Sequence, residues 1–232
     1  MFVSSALALA ALAAASPLGQ RSDGPSYPPT SSSKGFRLVA NVTDLSRDLS
    51  PSVQNQYVTS IHVGAALNLV GVGSKDVSRL FYINGTAGEF MRGEATTVTD
   101  GATPPVPFGF TLTPDSADSA LSTANLNAGP GNKGDVTTRI PVPYVFLAPE
   151  QMAICDEYVA YYRKNMQIVK QLNLNKDKTL PANCAPVRLM AECAELNELP
   201  AGSITNHDNV YTGDCYDDVA SIEWSKYTAW GN

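Results

Sequence analysis

The chain has 232 residues, of which 44% are hydrophobic and only 16% are charged, with 17 glycines and 16 prolines. This length and hydrophobic content suit one domain with a real core, and few charges with many turn formers favour a loop-rich, mainly β protein. The net charge of −6 argues against a nucleic-acid-binding protein, which needs a basic patch, and against electrostatic binding to anionic membranes.

The first 16 residues, MFVSSALALAALAAAS, predict a signal peptide. They carry no charged side chain, and their apolar core of roughly a dozen residues is too short to cross a bilayer. The run ends in small residues, and 13–15 fit an A-x-A cleavage site. No later apolar run predicts a transmembrane helix, and the polar, aromatic C-terminus does not fit a lipid-anchor signal. We expect a secreted protein, extracellular or associated with the cell wall.

Residues 17–34 are rich in proline and serine and predict a disordered leader. From residue 35 the pattern changes: apolar residues alternate over 36–43 and again over 57–67, which predicts two strands, the second bulged near Gly64. Asn84-Gly85 predicts a hairpin turn. Further strands are expected at PFGFTLT and RIPVPYVFLAP, separated by a polar, glycine-rich loop over 113–135.

Residues 150–170 fit two structures. Apolar residues recur at a helical spacing, but the run VAYY also fits a strand, and periodicity alone leaves both open. Residues 185–196 alternate clearly, which predicts another strand. The expected fold is a mainly β, antiparallel β-sandwich or jelly-roll-like single domain over 35–232, with long loops and room for one short helix in the C-terminal third.

Four cysteines lie in the last third of the chain, at Cys155, Cys184, Cys193 and Cys215. An even number in a secreted chain predicts two disulfides that stabilise the C-terminal part. Their spacing leaves all three connectivities open. A zinc site is not expected, because closely spaced cysteine pairs are absent.

Several segments together resemble a family of uncharacterised small secreted proteins of filamentous fungi. These are FRLVANVTD at 36–44, IHVGA at 61–65, LFYINGT at 80–86, VAYYR at 159–163 and CAPVRLMAEC at 184–193. The resemblance spans roughly residues 35–195. It implies an extracellular, mostly β protein, and it supplies no activity and no catalytic residues.

Two N-glycosylation sequons begin at Asn41 and Asn84. Strand alternation places Asn41 outward, and Asn84 falls on the predicted turn, so both are expected to be accessible. In the alternative interpretation, the strand around Asn41 is too crowded for the glycosyl transferase to reach the side chain, and Asn84 serves only as a turn residue.

The remaining polar candidates favour structural roles. His62 lies within a strand, and His207 lies in a polar loop where a solvated side chain is expected. The acidic loop around Asp208–Asp218 could supply oxygen ligands to Ca²⁺ but lacks EF-hand spacing. No metal or cofactor is predicted, and no nucleophile motif or phosphate loop is present, so no catalytic residue is assigned.

Trp224, Tyr227 and Trp230 concentrate aromatic rings in the tail. Exposed rings there could stack on sugars, whereas buried rings would anchor the tail to the core. We interpret the protein as a non-enzymatic surface protein whose partner is a cell-wall polysaccharide or a host surface molecule. The alternatives are a carbohydrate-active hydrolase with paired carboxylates and a structural component of the cell wall.

Overall fold

The computed structural model describes residues 26–133, 137–139, 144–173, 175–176 and 179–227. The predicted signal peptide at 1–16, the first part of the predicted leader and Trp230 lie outside the described residues. Among the described residues, no helix has the length and apolar character needed to cross a bilayer.

Strands dominate the described chain. In order they are β1 (Ser31–Ser33), β2 (Gly35–Val42), β3 (Tyr57–Gly64), β4 (Leu67–Gly73), β5 (Phe81–Asn84), β6 (Thr96–Gly101), β7 (Val106–Pro114), β8 (Leu121–Ala128), β9 (Thr137–Arg139), β10 (Phe146–Ala148), β11 (Met152–Val159), β12 (Lys164–Leu172), β13 (Cys184–Ala194), β14 (Val210–Tyr211) and β15 (Gly213–Cys215). One α-helix of the described chain, α1 (Ala87–Arg92), joins β5 to β6.

All pairings between these strands are antiparallel. β1 pairs with β15, and the other thirteen described strands form one sheet. β2 lies at its centre and pairs with β13, β3 and β5. From β5 the pairings run through β6, β7, β8, β12, β11 and β13 back to β2, so the sheet wraps around the core. The mainly β, antiparallel, sandwich-like prediction is confirmed.

The main core fills the space inside this sheet. β2 contributes Leu38, Val39 and Ala40, none of which is exposed, and β13 contributes Leu189 and Met190. The largest fully buried side chains are aromatic: Tyr82, Tyr144, Tyr216, Phe81, Phe110 and Phe146. Burial of these apolar surfaces is the main driving force for the fold.

The predicted hairpin turn at Asn84-Gly85 is wrong. β5 does pair with β6, but α1 lies between them. The Thr86 hydroxyl accepts a hydrogen bond from the backbone N–H of Glu89, whose carboxylate accepts one from the backbone N–H of Thr86. This capping box starts the helix, and Gly93 ends it with φ of 73°, so local capping overrides the turn signal of Asn-Gly.

Two other predicted irregular segments contain strands. The polar stretch 113–135 contains β8, in which only Ala124 and Leu126 are buried. β7 on one side, with β12 and β4 on the other, supplies backbone partners, so pairing stabilises a strand with little apolar content. The predicted disordered leader contains β1, which pairs with Gly213–Cys215, so ordered structure begins before residue 35.

Residues 150–170 form the β11–β12 hairpin, and the helical alternative is wrong. β11 pairs with β12 over its whole length and with β13 over its first half, so tertiary pairing outweighs the helical spacing of its apolar residues. The described C-terminal third has no α-helix; it has 3-10 turns at Val219–Ser221 and Trp224–Lys226.

The cysteines form two disulfides. Cys155 is bonded to Cys184 across β11 and β13, and Cys193 is bonded to Cys215 across β13 and β15. The structure therefore selects one of the three connectivities that the spacing left open. Both bonds involve β13, so this strand ties the hairpin and the tail to the centre of the sheet.

Candidate functional site

The β11–β12 hairpin ends in a cluster of exposed tyrosines. Tyr158, Tyr161 and Tyr162 are 65%, 58% and 40% exposed. The Tyr161 ring lies 5.1 Å from that of Tyr162 and 5.8 Å from the exposed His62 ring on β3. Several large rings exposed together on one turn suit contact with a partner rather than core packing.

A groove of about 370 Å³ runs beside these rings. Tyr158 and Tyr161 line it, and its apolar part is formed by Val63, Leu69, Val159 and Ile168. We call this site the tyrosine groove.

The apolar wall of the tyrosine groove belongs to a second small core on the outer face of the sheet. Ile61, Val159 and Ile168 are its buried members. Gly71 of β4 makes this packing possible, because a Cβ there would lie 2.3 Å from Cδ1 of Ile61. The strands of this small core can therefore carry apolar side chains on the outer face of the sheet while the main core on the inner face stays packed.

Charged side chains form the other wall of the tyrosine groove. Lys170 is only 6% exposed, and its Nζ lies 2.8 Å from Oδ2 of Asp115 and 3.8 Å from Oε1 of Glu157. The Thr123 hydroxyl donates a hydrogen bond of 2.6 Å to Oδ1 of Asp115. Thr123, Glu157 and Lys170 line the groove, which therefore joins aromatic rings, apolar surface and hydrogen-bonding groups.

Of the predicted aromatic tail, the structure describes Trp224 and Tyr227, and neither lines the tyrosine groove. Trp224 and Tyr227 are partly buried and pack against the main core, with the Trp224 ring 5.6 Å from Tyr216 and 6.1 Å from Tyr144. This packing favours the anchoring alternative for both residues. In the sequence, the run VAYY indicated aromatic residues in this segment. Whether their side chains are exposed depends on how the hairpin turns.

His207 differs from its prediction as a solvated loop residue. Its Nε2 lies 2.8 Å from Oδ2 of Asp100, and both side chains are largely buried. The Tyr82 hydroxyl donates to Oδ1 of Asp100 at 2.9 Å and lies 3.1 Å from the Thr205 hydroxyl, and burial raises the pKa of the Tyr82 phenol. This network fastens the segment before β14 to β5 and β6.

Sequence reasoning missed a buried carboxylate at Glu192 on β13. Its side chain is 2% exposed and accepts hydrogen bonds from Nζ of Lys75 at 2.8 Å, the Tyr57 hydroxyl at 3.0 Å and the backbone N–H of Val219 at 3.2 Å. Hydrogen bonding to Glu192 raises the pKa of Lys75, and burial followed by Glu192 raises the pKa of Tyr57. The feature of the sequence that could have indicated this buried carboxylate was an acidic residue within the otherwise apolar run LMAEC.

The sequon asparagines lie on strands. Asn41 is half-buried on β2 and pairs with Arg188 of β13, while Thr43 after it is exposed. Asn84 ends β5 and is half-buried, and Thr86 after it is exposed at the start of α1. Within the part of the chain that the structure describes, no three acidic, histidine or cysteine side chains form a metal-binding group, in the 208–218 loop or elsewhere.

These features define a class: a disulfide-bonded, antiparallel β protein with a tyrosine-rimmed groove on the outer face of its sheet. Residues 33–193 match the family model described as a domain of unknown function, DUF7907, and the chain belongs to this family. The matched range contains every residue of the tyrosine groove.

One similar protein is named "Antigenic protein SchS34" and comes from Stachybotrys chartarum. It is 48% identical over 220 residues, which cover 92% of this chain and 99% of that protein. No solved structure matches the chain. The comparisons therefore place the chain in an uncharacterised family with a fungal member.

Proposed function

We propose that this is a secreted, non-enzymatic sugar-binding protein that acts at the fungal cell wall or in its surroundings. The observation that carries the proposal is the tyrosine groove, where exposed rings lie beside charged and hydroxyl side chains on a paired-strand scaffold. Binding sites commonly combine apolar and aromatic walls with a few placed polar groups, at volumes of roughly 300–1,000 Å³.

Sugar rings are complementary to both walls of the groove. A pyranose has an apolar face of C–H groups that can pack on an aromatic ring, and its edge carries hydroxyls that need hydrogen-bond partners. Tyr158 and Tyr161 offer the rings, while Glu157 and Thr123 offer oxygens. An exposed apolar patch without polar groups would instead suit a protein partner.

The same groove suits binding better than hydrolysis. A glycosidase of the usual kind needs one carboxyl to hold a proton and a second to act as base or nucleophile. Here Glu157 is the one carboxylate among the described residues that line the groove, and Nζ of Lys170 lies between it and Asp115. The proposal for this groove is therefore retention of a sugar without cleavage.

Retention on insoluble polysaccharides tests the proposal. The protein should be retained by at least one of chitin, deacetylated chitin, β-1,3-glucan and cellulose. The double variant Tyr158→Ala/Tyr161→Ala should bind about thirtyfold more weakly, since each of the two lost ring contacts contributes about 1 kcal/mol. Met91→Ala removes a side chain that is 82% exposed on α1, outside the groove, and should bind normally. Retention by none of the four polymers would contradict the proposal.

Secretion and glycosylation are proposed with this function. Two disulfides are typical of proteins that mature in an oxidising compartment, which supports the secretory route. Protein recovered from the medium of a fungal host should lack residues 1–16 and should lose mass on enzymatic deglycosylation. Asn41→Gln and Asn84→Gln should each remove one glycan, as read by intact mass. An unprocessed chain of unmodified mass would contradict both expectations.

A further inference from the structure

We propose that the tyrosine groove selects a cationic amino sugar, such as the glucosamine units of deacetylated chitin, over neutral and acidic sugars. This inference rests on the proposed sugar-binding function. Its basis is the charge balance at the polar wall, where Glu157 and Lys170 line the groove and Asp115, outside the lining, pairs with Lys170. This cluster of three side chains has one negative charge in excess, in a protein whose net charge is also negative.

The excess charge falls on Glu157. Asp115 is the close partner of Lys170 at 2.8 Å and also accepts from Thr123. Glu157 has only the long contact of 3.8 Å to Lys170, and within the described residues no hydrogen bond to its carboxylate is formed. An ionised carboxylate can accept about four hydrogen bonds, so Glu157 retains free acceptors on the groove wall.

Lys170 is not free to bind an acidic sugar. Its side chain is 8% exposed and is held by Asp115 from β7–β8, so it would have to leave a buried ion pair to reach a ligand carboxylate. Breaking such a pair is costly because it leaves a charge without its partner. A uronic acid would also be repelled by Glu157.

The aromatic rim favours the same ligand. Tyr158 and Tyr161 line the groove together with Glu157. A cation over the face of a tyrosine is attracted by the ring's π electrons, and a nearby carboxylate adds charge attraction and a hydrogen bond. A glucosamine unit offers the ammonium and the apolar ring face in one molecule, whereas its N-acetyl form has lost the charge.

Calorimetric titration with two oligosaccharides of equal length, one of glucosamine and one of N-acetylglucosamine, tests the inference. At about pH 6 carboxylates are ionised and amines are protonated. The glucosamine oligomer should bind about tenfold more tightly, and added salt should reduce this preference because the contact is charged. Glu157→Gln should abolish the preference, while Glu198→Gln, an equal change of charge at an exposed site outside the groove, should preserve it.

The outcomes separate this inference from the function on which it rests. If the unaltered protein binds the N-acetyl oligomer or a neutral glucan as tightly, the amino-sugar preference is wrong and sugar binding stands. If neither oligomer nor any polysaccharide binds, both proposals fail. The salt dependence is measured on the unaltered protein, so the preference can be refuted even if Glu157→Gln does not fold.

Discussion

Replacing Lys75 with methionine is expected to lower the free energy of unfolding by about 2 kcal/mol at neutral pH, between the values for surface and for buried ion pairs. Lys75 is 58% exposed, but its partner Glu192 is 2% exposed. Methionine keeps the apolar stem and leaves the Glu192 carboxylate buried without a countercharge. The hydrogen bonds from Tyr57 and Val219 remain but do not neutralise it. Urea unfolding at neutral pH measures the difference.

The effect of this substitution should depend on pH. The deficit of Lys75→Met should shrink at high pH, where the unaltered protein also loses the charge on Lys75. In the unaltered protein the raised pKa of Lys75 gives a stabilisation that is fully present below about pH 10.5 and is lost as the pH rises through that raised value.

Lys226→Met is the matched control for this test. Lys226 is paired with Glu223, and both side chains are 65% exposed. Surface pairs of this kind contribute about 0–1 kcal/mol, so this variant should unfold almost like the unaltered protein. Equal, pH-independent losses in the two variants would show that burial of Glu192 has no energetic consequence.

Removing the Cys193–Cys215 disulfide by a double substitution to serine should lower the free energy of unfolding by about 3 kcal/mol, from the added freedom of the unfolded chain. The bond closes a loop with a sequence separation of 22. It also holds β15, the strand that pairs with β1, so hydrogen exchange should accelerate at Gly213–Cys215 and Ser31–Ser33.

The Cys155–Cys184 disulfide provides the comparison. Its sequence separation of 29 predicts a similar entropic loss when both cysteines become serine. β11 and β13 remain paired there through their backbones, and β11 also pairs with β12, so hydrogen exchange in these strands should change little. Equal acceleration at β11 and β15 would contradict the idea that only the tail depends on its disulfide.

The strands β2 and β3 were predictable because each has apolar residues at alternate positions. The predicted strand over 57–67 was too long, because the chain turns after Gly64 and returns as β4 from Leu67. β8 was not predictable, because its stability comes from neighbours far along the chain. α1 had a readable signal in Thr86 and Glu89, which the stronger Asn-Gly turn pattern obscured.

The candidate site, like the fold, was predictable from the sequence only in part. VAYY marked aromatic residues, but no local rule states that a hairpin turn will hold Tyr161 beside His62, which is 99 positions earlier by numbering. Nor could spacing show that Lys170 lies between Asp115 and Glu157. These contacts depend on which strands become neighbours in the sheet.

By itself the sequence determined the mainly β class and the even set of cysteines, because composition and two-residue alternation are local properties. Only the tertiary structure decided the disulfide connectivity, the burial of Glu192 and His207, and the aromatic surface of the protein. Trp224 is packed against the core while Tyr158 and Tyr161 are exposed. Whether a ring is buried depends on what packs against it, and long-range strand pairing decides that.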